Sequence, residues 1–130
     1  HGAHGRNGFI DAQAESYAAE GYSVLAVDLW GNGEQLADPK ALEARLGAFN
    51  ADRGLWMGRM QAAVEALGQA TGLAPAQMAA LGFCFGGSTV LEFLRSGAAL
   101  GGGVSFHAGL DTVGSDWSQA TRAPLLICTG

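Results

Sequence analysis

Residues 78–98 read MAALGFCFGGSTVLEFLRSGA, and this stretch decides how the rest of the chain is read. The apolar run 78–83 predicts a strand, and the segment from about 87 to 96, stopped by Gly97, predicts a helix. Between them Cys84 stands in the pattern Gly-x-Cys-x-Gly-Gly. The pattern allows two readings. Cys84 is either a small core residue with glycine neighbours or a nucleophile raised on a sharp turn between strand and helix. The second reading has a mechanical reason behind it. Gly82 and Gly86 leave room where a Cβ would strike the strand or the returning helix. A helix starting near Gly87 points its N-terminus at Cys84 and favours the thiolate, the reactive form of the side chain. The N–H of Phe85 is then placed to bind a developing oxyanion.

Outward from this turn the segments alternate in type. Residues 8–20 are Ala- and Glu-rich with apolar spacing at Phe9, Ala12, Ala14 and Tyr17, and they predict a helix ended by Gly21. Residues 22–29 (YSVLAVDL) form a nearly continuous apolar run, predicting a strand buried on both faces. Asp38-Pro39 reads as an N-cap followed by a first-turn proline. The helical stretch after it reaches about Ala70; Gly47, Gly54 and Gly58 weaken it and allow two helices, the second with a face at Met60, Val64 and Leu67. Thr71-Gly72 stops it. Further strands are predicted at 102–107 and 124–129. Buried strands alternating with helices predict an α/β fold: a parallel sheet with helices on both faces. Ligands of such sheets bind at the carboxyl ends of the strands. The corresponding loops are 1–5 (HGAHG), 28–33 (DLWGNG), 84–87 (CFGG) and 107–111 (HAGLD), and they concentrate His, Gly, Asp and Trp.

Composition narrows the function classes. A chain of 130 residues, 48% hydrophobic and 15% charged, suits one globular domain. The net charge of -5 and scattered single arginines oppose a nucleic-acid or anionic-membrane surface. No apolar run approaches a membrane span. Cys84 and Cys128 form no disulfide framework and no metal-ligand spacing, so no metal or cofactor is expected, and a reducing, cytoplasmic setting is. Cys128, inside LLICT, reads as core. The chain opens on His1 rather than Met, so the absence of a leader carries no weight. Nothing in the sequence sets an oligomeric state.

Four stretches resemble the dienelactone hydrolase family of α/β-hydrolases: 1–33, 78–98, 101–112 and 123–130, in order and over more than half the chain. The resemblance implies an α/β-hydrolase-type sheet, incomplete at both ends, in a single partial domain over 1–130. It implies hydrolysis of small-molecule esters or lactones of the carboxymethylenebutenolide type. By position it implies Cys84 as the nucleophile, the N–H groups of Ala3 and Phe85 as the oxyanion hole, and Trp30 and His107 as lining of the substrate pocket. The family's type members carry a glutamate where this chain has Gly2. Their triad aspartate and histidine fall after the strand that ends here at Thr129-Gly130, so both are expected beyond residue 130, and a further strand is expected before His1.

His107 lies near Asp111 but reads as pocket lining rather than a base. His1 and His4 read as parts of the first loop. Arg45, Arg53 and Arg59 are candidates for holding a substrate carboxylate, or else line a solvated helix face. Two rival functions remain: a glutamine amidotransferase-like enzyme with a Cys elbow, and a degenerate hydrolase acting as a binding domain. The complete glycine elbow opposes the second, because a strained turn is costly to keep for packing alone.

Overall fold

The computed structural model describes residues 1–111, 118–120 and 122–129; Thr112 and Gly130, which end two of the matched stretches, lie outside them. Helix α1 spans Gly8–Ala19, with the Asn7 side chain accepting from the Ile10 N–H at its start. The long helical stretch is two helices, α2 (Pro39–Ala51) and α3 (Arg53–Thr71). The break falls at Asp52, not at a glycine. Asp52 ends α2, and its carboxylate accepts from the Leu55 N–H at 2.9 Å to start α3, a local competition that acidic caps win over helix continuation. Asp38 caps α2 as expected, by accepting from the Ala41 N–H, and Gly72 closes α3 in the left-handed conformation at φ 76°.

Strands β1 (Ala79–Phe83), β2 (Gly102–Phe106) and β3 (Leu125–Cys128) form a parallel sheet in the order β1-β2-β3. Helix α4 (Phe85–Arg95) follows β1 after one residue and packs on β1 and β2. The face turned to α4 carries Ala80, Gly82, Gly103 and Ser105, which are small. A Cβ at Gly103 would meet Leu94 and Val90 of α4, so the helix lies close against the sheet. On the opposite face Phe9 of α1 meets Phe83 edge-on at 5.1 Å, and Phe83 stacks on Phe106 at 5.2 Å.

The strand expected at 22–29 does not form. That segment pairs with no other among the described residues, and Tyr22 and Leu25 are exposed rather than buried on two faces. The physical reason is the missing neighbour. An apolar groove of about 500 Å³ separates residues 22–27 from β1, its walls including Val24, Val27, Leu81 and Phe83, and His1 lies at its lining. An apolar run makes a strand only when another backbone lies within hydrogen-bonding distance.

The core sits where α2, α3, α4 and the loops at 1–5 and 28–36 converge. Trp30, Phe49, Trp56 and Phe85 form a buried aromatic stack. Trp30 and Phe85 are 4.9 Å apart and nearly coplanar, and Phe85 and Trp56 are 5.4 Å apart. Glu92 of α4, almost fully buried, holds Arg53 at 2.5 Å and Arg95 at 2.6 Å and ties the start of α3 to α4. No helix among the described residues is long and apolar enough to cross a membrane.

Candidate active site

Cys84 is the single residue between β1 and α4, with φ 54° and ψ −117°. A positive φ is unfavourable for any residue with a Cβ and persists only where the surroundings over-determine it. Here they do. The Cys84 N–H donates to the Phe106 carbonyl at 2.8 Å, and its own carbonyl accepts from the Ser88 N–H at 3.1 Å. Close approach does the rest. A Cβ on Gly82 would overlap the Gly86 carbonyl, and one on Gly86 would lie 2.7 Å from the His1 carbonyl oxygen. The backbone of Cys84 is thus engaged on both sides, while the residue is exposed and its thiol free. Phe85 begins α4, so its N–H belongs to the first-turn donors that have no intrahelical acceptor.

A groove of about 530 Å³ opens over this turn. It is lined by Ala3, Leu46, Trp56, Cys84 and Phe85, together with the polar Asn50, Ser88 and Asp111. Of the residues expected at the site, Cys84, Phe85 and Ala3 come together here. Trp30 and His107 do not line it. Trp30 is 3% exposed and lies beneath Phe85, its indole Nε1–H donating to the Ala3 carbonyl at 3.0 Å. His107 is exposed at the end of β2, with φ 54°, and its N–H donates to the Cys128 carbonyl. Gly2 lies beside Cys84: a Cβ there would be 4.0 Å from that of Cys84.

The three candidate arginines are engaged by the protein. Arg45 pairs with Glu34 at 2.7 Å and lies over the Trp30 ring. Arg53 pairs with Glu92, and Arg59 donates to the carbonyls of Leu29 and Trp30. None of them lines the groove over Cys84. Among the described residues no cluster of His, Cys, Asp and Glu is arranged to hold a metal ion.

Several site residues left no clear mark in the sequence. Asn50 sits near the end of α2 and lines the groove together with Cys84. Ser88 donates to the Gly109 carbonyl at 3.0 Å, linking α4 to the loop after β2. Asp28 had the one readable signal, an Asp ahead of Gly-Asn-Gly. Its carboxylate accepts from the N–H groups of Trp30, Gly31 and Gly33 and fixes the 28–33 loop.

A parallel sheet with a cysteine raised between strand and helix at its carboxyl edge is the architecture of the α/β-hydrolases. The chain belongs to the dienelactone hydrolase family, whose model matches residues 1–130. It is similar to a solved dienelactone hydrolase-like promiscuous phosphotriesterase from metagenomic libraries, at 34% identity and TM-score 0.90, over 99% of this chain and 54% of that one. It is similar also to the solved structure named m3DLH, at 38% identity and TM-score 0.91, again over 99% of this chain and 54% of that one. The chain therefore spans about half the length of these relatives. No curated protein matches it significantly.

Proposed function

We propose that residues 1–130 carry the nucleophile and oxyanion hole of a hydrolase that cleaves small carboxylic esters or lactones through Cys84. The observation that carries this reading is the backbone of Cys84: a positive-φ residue, locked by β2 and α4, with an exposed thiol at the mouth of a groove. The thiolate Sγ attacks the carbonyl carbon, and the negative charge passes to the carbonyl oxygen. The N–H groups of Phe85 and Ala3 stabilise that charge. The oxyanion collapses, the C–O bond to the alcohol breaks, and the alkoxide leaves with the bond pair, giving a Cys84 thioester that water later hydrolyses. Membership of the dienelactone hydrolase family supports hydrolysis over amidotransfer. The same thiolate can displace an aryloxide from the phosphorus of a neutral phosphotriester, and likeness to a phosphotriesterase favours testing that second reading.

Two measurements test the site. Iodoacetamide at neutral pH is expected to label Cys84 roughly tenfold faster than Cys128, because Cys84 is exposed at a helix N-terminus and Cys128 is half-buried in β3. Peptide mapping showing equal labelling, or Cys128 first, contradicts the elbow reading. The second concerns substrate charge. Asp111 is the one charged residue among the described lining residues of the groove. An uncharged ester, p-nitrophenyl acetate, is expected to acylate Cys84 about tenfold faster than the carboxylate-bearing mono-p-nitrophenyl succinate. Asp111→Asn should narrow the gap. Equal rates in the parent chain would remove Asp111 from substrate selection.

A further inference from the structure

We propose that His1 and Trp30 are positioning residues that aim the Ala3 N–H at the oxyanion; the inference rests on the Cys84 site proposed above. Ala3 sits between two peptide units, and each is held by a side chain from outside its turn. On the first side, His1 Nδ1 lies 2.7 Å from the Gly2 carbonyl oxygen, which also accepts from the Gly5 N–H at 3.1 Å. On the second, the Trp30 Nε1–H donates to the Ala3 carbonyl at 3.0 Å. A trans peptide is planar, with its N–H directed opposite to its C=O. Fixing the Gly2 carbonyl toward His1 therefore turns the Ala3 N–H away from the imidazole. Ala3 lies on the groove beside Cys84.

The partners of His1 define its form. The Gly2 carbonyl can only accept, so Nδ1 carries the proton. The Leu29 N–H can only donate, and it lies 2.9 Å from Nε2, so Nε2 is bare. Both bonds exist together only in the neutral Nδ1–H tautomer. The ring is held fast in other ways too. Its side chain is fully buried, with its centroid 5.4 Å from Trp30 and 6.4 Å from Phe85. Trp30 is itself stacked on Phe85, the residue that supplies the other oxyanion N–H. The Trp30 ring, between His1 and Phe85, thus links the two donors. This explains why Trp30 is a buried tryptophan rather than an exposed pocket wall. Its ring fills the core, and its single N–H is spent on the first loop.

The test separates two reactions of the same sulfur. Alkylation by iodoacetamide displaces iodide at a saturated carbon and builds no oxyanion. Acylation by p-nitrophenyl acetate does build one. Trp30→Phe keeps an aromatic ring in the stack and removes the N–H. It is expected to slow acylation of Cys84 about tenfold while leaving alkylation of Cys84 within about twofold, less than the 10²–10³ loss typical when an oxyanion donor is removed outright. His1→Phe should behave in the same way. Phe49→Leu serves as the packing control, since Phe49 is buried in the same stack and its side chain has no hydrogen-bonding group with which to hold either peptide of the first loop. It should lower thermal stability without changing the ratio of the two rates. An unchanged ratio in Trp30→Phe and His1→Phe overturns the proposal, as does an equal change in Phe49→Leu. If the parent chain is alkylated at Cys84 but never acylated there, the proposed hydrolase site fails as well, and that outcome is read from the parent alone.

Discussion

Cys84→Ala is expected to abolish both the p-nitrophenolate burst and the acyl adduct on the chain, lowering the rate of release at least about 10³-fold. With the parent chain, mixing with p-nitrophenyl acetate should release about one equivalent of p-nitrophenolate and leave a mass increase on the peptide carrying Cys84, because attack and departure of the aryloxide need only the sulfur and the oxyanion donors. Sustained turnover needs more: a base oriented by a third group must activate water against the thioester. The substitution is a clean one. The bonds that hold residue 84 run through its backbone N–H and carbonyl, so alanine keeps them and the elbow folds. An undiminished burst in Cys84→Ala would move the nucleophile elsewhere and defeat the proposed function. A parent chain that neither bursts nor forms the adduct, with lactones tried as well, would favour a binding domain on a hydrolase fold. Turnover well beyond one equivalent would place a working base inside residues 1–130, with His107 and Asp111 the first residues to replace.

Gly82→Ala is the substitution with the largest expected effect on stability. The added methyl would overlap the Gly86 carbonyl and press on the Gly87 nitrogen, all backbone at the start of α4, so no side chain can swing aside. Relief requires α4 to move off β1, and with it Val90, Phe93 and Leu94 of the core. The expected cost is more than about 3 kcal/mol. A domain of this size has only about 5–15 kcal/mol to lose. Gly58→Ala is the counter-example. It lies within α3 with nothing near its Cβ direction, so alanine there should raise stability by up to about 1 kcal/mol through helix propensity. Urea unfolding followed by circular dichroism reads both. A Gly82→Ala chain as stable as the parent would mean that β1 and α4 do not make the close approach on which the elbow depends.

The sequence alone determined the local pieces. The Gly-x-Cys-x-Gly-Gly pattern between an apolar run and a helix placed the turn at Cys84, because the steric demand of that turn is met by glycines two and three residues away. The same holds for the Asp38 cap, the Gly72 stop and the parallel α/β class, each of which follows from short-range chemistry or period. The tertiary structure decided everything that depends on what lies across from a residue. Residues 22–29 have the composition of a buried strand, yet form none, since pairing is set by a neighbouring backbone and an apolar groove lies there instead. The α2–α3 break fell to the Asp52 carboxylate and not to the glycines, because a satisfied cap outweighs weak propensity. Arg45, Arg53 and Arg59, which the sequence left as either carboxylate anchors or a solvated helix face, are bound to Glu34, Glu92 and the Leu29 and Trp30 carbonyls. Trp30 read as an aromatic next to a ligand. Only the fold buries it under Phe85, 27 positions along the chain from the Ala3 carbonyl that takes its one hydrogen bond. Hydrogen bonds of that separation leave no periodic or spacing signal, since any donor of suitable reach could make them, and three-dimensional packing alone selects which one does.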